Sequence, residues 1–186
     1  VLAAQPAAVA AIMVLVFPKP TASLFFLLTL SCLWFGMSAS VRELISDGVV
    51  WRRESALGLA TSAWVGAKAV VLGGLVAGQC ASLALLVSWL ARDPDLGFSM
   101  PALVGASVLT GWTGVSIGLA VSAMWRQSEA AVGTIVLLLV PQIAFSGVLM
   151  SLDKMTDAAQ WLATITPLRY AFHLTLRCGE QLAYLG

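Results

Sequence analysis

Residues 69–90 read AVVLGGLVAGQCASLALLVSWL, a run without a single charge. A helix rises about 1.5 Å per residue, and roughly 20 apolar residues cross the hydrocarbon of a bilayer. This run alone predicts a spanning helix. Working outward, the same reading applies to Val1 to Phe17, Ala22 to Val41, Met100 to Met124 and Ala130 to Met150. Pro18-Lys19-Pro20-Thr21 and Arg92-Asp93-Pro94-Asp95 read as tight polar turns, since proline cannot continue a helix. Trp125-Arg126-Gln127-Ser128-Glu129 is a third short connection. Pro141 lies inside the fifth run, where it predicts a kink and a freed carbonyl. From Ser151 onward the chain is too polar to span and too apolar for a plain linker. The expectation is all-α: a polytopic transmembrane helix bundle with five spans.

Composition agrees. The chain has 186 residues, of which 60% are hydrophobic and 10% charged. A soluble domain carries about 25% charged residues. The net charge of +1 gives no case for nucleic-acid binding. Cys32, Cys80 and Cys178 are far apart and His173 is the sole histidine, so no metal site is expected. Cys32 and Cys80 read as small residues packed between helices. Cys178, in a more polar segment, could form an intermolecular disulfide if that segment is extracellular. No signal peptide is seen, and the chain reads as a fragment of something longer.

Arg42 to Lys68 holds Arg42, Glu43, Asp47, Arg52, Arg53, Glu54 and Lys68, seven of the chain's nineteen charged residues. Leu44, Ile45, Val49 and Trp51 interleave with them. The pattern predicts an amphipathic interfacial helix, and its basic residues place it in the cytoplasm. By alternation, Arg126 to Glu129 is also cytoplasmic, while Pro18 to Thr21, Arg92 to Ser99 and Ser151 to Pro167 are external. Gly74 with Gly78, and Gly111, Gly114 and Gly118, are spaced for close helix packing in lipid.

Two chemical patterns bear on function. No G-x-x-x-x-G-K-[ST] phosphate loop occurs, so ATP is not bound by that route. Gly114-Val115-Ser116-Ile117-Gly118 reads G-x-S-x-G, and with His173 it allows an intramembrane serine protease as an alternative. That motif, however, needs a strand-turn-helix setting in the hydrolase fold, not the middle of a span. A membrane anchor that moves nothing is a third reading.

The order Asp47, Trp51, Arg53, Glu54, Gly58, Trp64 and Lys68 resembles the cytoplasmic connection of ABC exporter permeases of the G-subfamily, or type-2, kind. Pro141 to Leu149, followed by Thr166-Pro167-Leu168-Arg169-Tyr170-Ala171-Phe172, resembles the family's fifth span, its external re-entrant segment and the approach to span six. Arg42-Glu43-Leu44 looks most like bacterial members whose cassette carries a forkhead-associated domain. Asp47, Gly48 and Ala67 stand where the family usually has Glu, Arg and Ser. The resemblance covers nearly the whole chain.

The resemblance implies that residues 1–186 are a permease domain in the inner membrane, with a sixth span and a nucleotide-binding domain outside this chain. ATP and magnesium would belong to that domain, and this chain would be no enzyme. The implied partners are that domain, a second copy forming a homodimer, and the bilayer. Asp47, Trp51, Arg53 and Glu54 would couple the spans to the motor. Trp34, Phe35, Val140 and Ile143 would line the substrate path. Val148 and Leu149 would form an outer gate.

Overall fold

A computed structural model describes residues 4–17, 19, 21–90, 99–146 and 156–180. The described residues form helices and no strand: α1 (Ala4–Val16), α2 (Ala22–Ser40), α3 (Glu43–Ser46), α4 (Gly48–Ala56), α5 (Thr61–Leu90), α6 (Met100–Met124), α7 (Ser128–Ala144), α8 (Asp157–Ile165) and α9 (Pro167–Glu180). Three of them, α2 with its continuation to Ser46, α5 and α6, are long and apolar enough to cross a membrane. The apolar helices α1 and α7 are described over 13 and 17 residues. The outer-gate pair Val148 and Leu149, and most of the turns expected at 18–21 and 92–99, lie outside the described residues.

Local chemistry sets several boundaries. Thr21 caps α2, its hydroxyl accepting from the Leu24 amide at 3.3 Å. Pro101 sits in the first turn of α6, and Pro167 opens α9, where a missing N–H is harmless. Helix α7 runs through Pro141 and ends three residues later, with the Phe145 amide returning to the Pro141 carbonyl at 2.9 Å.

Two expectations change. The stretch from Arg42 to Lys68 is not one interfacial helix. It is two short helices that meet at Asp47, followed by a turn. Helix α5 begins at Thr61, two turns before the expected Ala69. Lys68 therefore lies inside α5. Its charge does not end the helix because two carboxylates meet it there.

The core is built on α2 and α6. Helix α2 also touches α5 and α9, α1 lies against α5, and α7 touches α6. Leu28, Cys32, Leu33, Met37, Val76, Cys80 and Leu83 are fully enclosed between these helices. Cys32 and Cys80 are free thiols, and the Cys80 thiol points at the Cys32 carbonyl at 3.9 Å. Cys178 is also free, and burial pushes its thiol pKa up. Hydroxyls inside the bundle are satisfied on their own helices: Ser40 donates to the Gly36 carbonyl at 2.8 Å and Thr110 to the Ala106 carbonyl at 2.7 Å.

Glycine permits the close approach of α2 and α6. A Cβ at Gly114 would meet the Leu33 carbonyl oxygen, with the Gly36 Cα and the Met37 nitrogen at 3.1 Å. A Cβ at Gly36 would fall 2.7 Å from the Val115 nitrogen, and one at Gly118 2.8 Å from the Met37 oxygen. Gly111 faces α5, where its Cβ would lie 2.7 Å from the Cys80 sulfur. The three glycines singled out on α6 thus pack as their spacing suggested. Gly74 and Gly78 have nothing within 4 Å and face outward.

Helix α9 closes the bundle on α2. Phe172 meets Phe26 edge-on at 5.6 Å, and the Thr29 and Thr175 hydroxyls are 3.1 Å apart. Each hydroxyl is also 2.7 Å from a carbonyl of its own helix, so the two protons serve three contacts. Thr175→Val keeps the shape and removes the interhelical bond. It is expected to cost about 0.6–1.7 kcal/mol, the range of such bonds in membrane bundles. Unfolding in mixed micelles measures it; a value near zero would mean the hydroxyls do not hold α9.

Candidate functional site

At one end of the bundle α3, α4, the start of α5 and the end of α6 converge on a groove of about 400 Å³. Leu44, Ile45, Gly48, Trp51 and Arg52 line it from α3 and α4; Thr61, Trp64 and Val65 from α5; Ser122 from the end of α6 and Arg126 from the connection after it. This end carries the dense charge cluster and the Trp125-Arg126 connection together.

The path of the chain here follows from a few residues. Asp47 ends α3 and starts α4, and its side chain makes no capping bond. Its carboxylate instead accepts from Lys68. Lys68 Nζ also donates to Glu43 Oε1 at 2.8 Å. One ammonium on α5 thus clamps two carboxylates spaced one helical turn apart on the α3–α4 segment. Gly58 stops α4. It adopts φ +94°, with its own amide bonded to the Ser55 carbonyl and the Leu59 amide to the Glu54 carbonyl. This double closure favours glycine, because a Cβ resists that φ. The turn brings Trp64 back onto Trp51, ring centroids 4.9 Å apart and planes tilted by 31°. The Leu44 amide donates to the Ser122 hydroxyl at 3.1 Å, tying α3 to α6.

Of the expected coupling residues, Asp47 and Trp51 face inward and hold the segment. Arg53 is exposed and Glu54 half-buried, and neither forms an ion pair with a described residue. Val49, expected beside Leu44 and Ile45, is instead exposed. Sequence reasoning did not single out the Lys68–Glu43–Asp47 cluster. The signal was present: two carboxylates one turn apart need a cation, and Lys68 is the basic residue at the mouth of an apolar run.

The expected path residues separate. Phe35 is 4% exposed and belongs to the core; Trp34 beside it is 38% exposed. On α7, Val140 is 62% exposed, while Ile143 is half-buried against the core. Ser116 and His173, the protease alternative, are not joined. The Ser116 hydroxyl donates to the Trp112 carbonyl at 3.0 Å, and His173 lies on α9 beside Phe172. Among the described residues, no group of His, Cys, Asp and Glu could hold a metal.

Comparison with known proteins bears on this arrangement. The sequence matches the ABC-2 type transporter family over residues 2–177. It is 29% identical over 161 residues to the ABC transporter ATP-binding/permease protein Rv1747 of Mycobacterium tuberculosis. That alignment covers 83% of this chain and 18% of the relative, so the chain spans under a fifth of that protein's length. A helical bundle with membrane-length apolar helices, matched nearly end to end by one family, leaves one assignment: the chain belongs to the ABC-2 type transporter family, as a membrane permease component of an ABC transporter.

Proposed function

We propose that this chain is the permease of an ATP-driven exporter of the G-subfamily kind, and that α3 and α4 couple it to a nucleotide-binding domain. The observation that carries the reading is the clamp at Lys68. It fixes α3 and the start of α4 to α5 while Arg53 stays open to solvent with no ion-pair partner among the described residues. A lever needs that division: one end held by the spans, the other free for the motor. Gly58 and the Trp51–Trp64 contact keep α4 turned back along α5, so a push on α4 reaches a membrane-length helix directly.

In this reading the charged end is cytoplasmic, five spans precede a sixth outside this chain, and ATP and magnesium are held by the partner domain. The Asp157–Ile165 corner belongs to an external re-entrant segment. Two copies meet along α2 and α7, with Trp34, Val140 and Ile143 facing the path and Val148 and Leu149 closing it outside. Phe35 supports the wall from within.

Arg53→Ala and Glu54→Ala test the coupling. Neither residue is fully buried, so both variants are expected to fold and reach the membrane. A charge-assisted contact is worth about 1.5–3 kcal/mol where water is excluded and less at an exposed joint. Transport is expected to fall several-fold in the full-length protein, while ATP hydrolysis continues. Parental transport rates in both variants would remove the coupling role of α4.

A further inference from the structure

The face of α9 turned away from the bundle carries a second concentration of positive charge. Leu168, Phe172 and Thr175 fill its buried side against α2 and α6. Arg169, His173 and Arg177 recur one turn apart on the other side, with Tyr170 and Leu174 beside them. Together these five residues line a groove of about 400 Å³. None of the three basic residues forms an ion pair with a described residue. Arg169 Nε is buried and has no hydrogen-bond partner among the described residues. Its guanidinium lies 5.8 Å from the Tyr170 ring centre. That ring is fixed in turn, its hydroxyl donating to the Thr164 carbonyl at 2.9 Å.

We propose that this groove binds the phosphate of an anionic phospholipid, with Arg169 and Arg177 donating to the phosphate oxygens and Tyr170 and Leu174 lying against the adjoining chains. The first argument is charge: a groove lined by Arg169, His173 and Arg177 is complementary to a phosphate, and the planar guanidinium forks match its oxygens. The second is setting. Trp161, Leu162 and Ile165 of the adjacent α8 are exposed apolar side chains. Aromatic and aliphatic groups next to basic ones mark the level where headgroups meet hydrocarbon. A free inorganic phosphate would satisfy the arginines and leave the apolar half of the groove unused.

This inference stands apart from the coupling reading, which concerns α3 and α4. The test uses the full-length protein in nanodiscs of equal parts phosphatidylglycerol and phosphatidylcholine, followed by release into detergent and native mass spectrometry of retained lipid. The parent is expected to keep phosphatidylglycerol about tenfold over phosphatidylcholine, the scale of one charge-assisted contact. Arg169→Gln with Arg177→Gln should abolish that preference. Arg177→Gln alone, at an exposed position that leaves the packing intact, should weaken it several-fold, and Arg177→Lys should keep most of it. Equal retention of both lipids by the parent, or unchanged retention by Arg177→Gln, would overturn the proposal. Displacement of phosphatidylglycerol by millimolar inorganic phosphate would reassign the groove to free anions. A disulfide between two copies carrying His173→Cys would show that a second chain covers it, and would overturn the lipid assignment equally.

Discussion

Gly114→Ala is expected to lower the yield of folded protein sharply, although it adds one methyl group. The new carbon would enter the space of the Leu33 carbonyl and stand 3.1 Å from both the Gly36 Cα and the Met37 nitrogen. All three neighbours are backbone, so no side chain can rotate away. The helices must separate, and α2 and α6 form the most extensive interface among the described helices. In lipid that interface has no hydrophobic driving force to fall back on; it depends on close van der Waals contact. Overpacking a well-filled core costs about 1–3 kcal/mol even where side chains can adjust. With backbone on both sides the cost belongs at or above the top of that range, a large part of a typical stability of about 5–15 kcal/mol. Gly74→Ala is the control. Nothing lies within 4 Å of it, and alanine is the better helix former. Fluorescence-detected size-exclusion profiles of the two variants should differ sharply. A normal monodisperse peak for Gly114→Ala would mean that the α2–α6 contact is looser than described.

Lys68→Met should nearly abolish transport, by tenfold or more. The substitution keeps the length and apolar stem of the side chain. It leaves Glu43 and Asp47 facing each other on one short segment with no cation between them. Like charges at that spacing repel, so the α3–α4 segment swings away from α5. Lys68→Arg retains the charge and should retain much of the activity. Glu43→Gln with Asp47→Asn added to Lys68→Met removes the repulsion but not the lost tether. That triple variant should recover normal protein levels while transport stays low. Transport that recovers in step with protein level would reduce the clamp to a folding element.

These two sites also mark what the sequence could and could not disclose. The helical, membrane-embedded character followed from charge-free runs, because an unpaired charge in hydrocarbon is costly enough to be read from composition alone. Gly111, Gly114 and Gly118 were legible as packing residues because they repeat along one stretch of helix. Gly36 was not singled out, although Ser40 follows it at the same small-residue spacing and the Ser40 hydroxyl is what a Cβ at Gly118 would strike. Gly74 and Gly78 show the reverse: spacing reveals that a helix offers a smooth face, and only the fold reveals whether another helix takes it. The start of α5 was missed for a related reason. A scan for uncharged residues ends at Lys68, yet a charge neutralised by Glu43 and Asp47 is no barrier to the helix. The path residues divided as they did because Trp34 and Phe35 are neighbours on one helix, so they point about 100° apart and cannot share a surroundings. Nothing in their identity says which faces inward.

The glycine seam has a kinematic consequence. With backbone seated against backbone along Gly36, Gly114 and Gly118, α2 and α6 have little room to slide or roll past one another, because main-chain atoms stand directly across the contact. They form a single stiff beam. Movement within the bundle is expected elsewhere, at joints where side chains rather than main chains meet. Among the described residues, helix α7 meets the beam less extensively than α2 and α6 meet each other, and its Pro141 removes one rung of its own ladder. A change of shape in this bundle is then expected first in the slender element at the margin, against a chassis locked by the absence of three methyl groups.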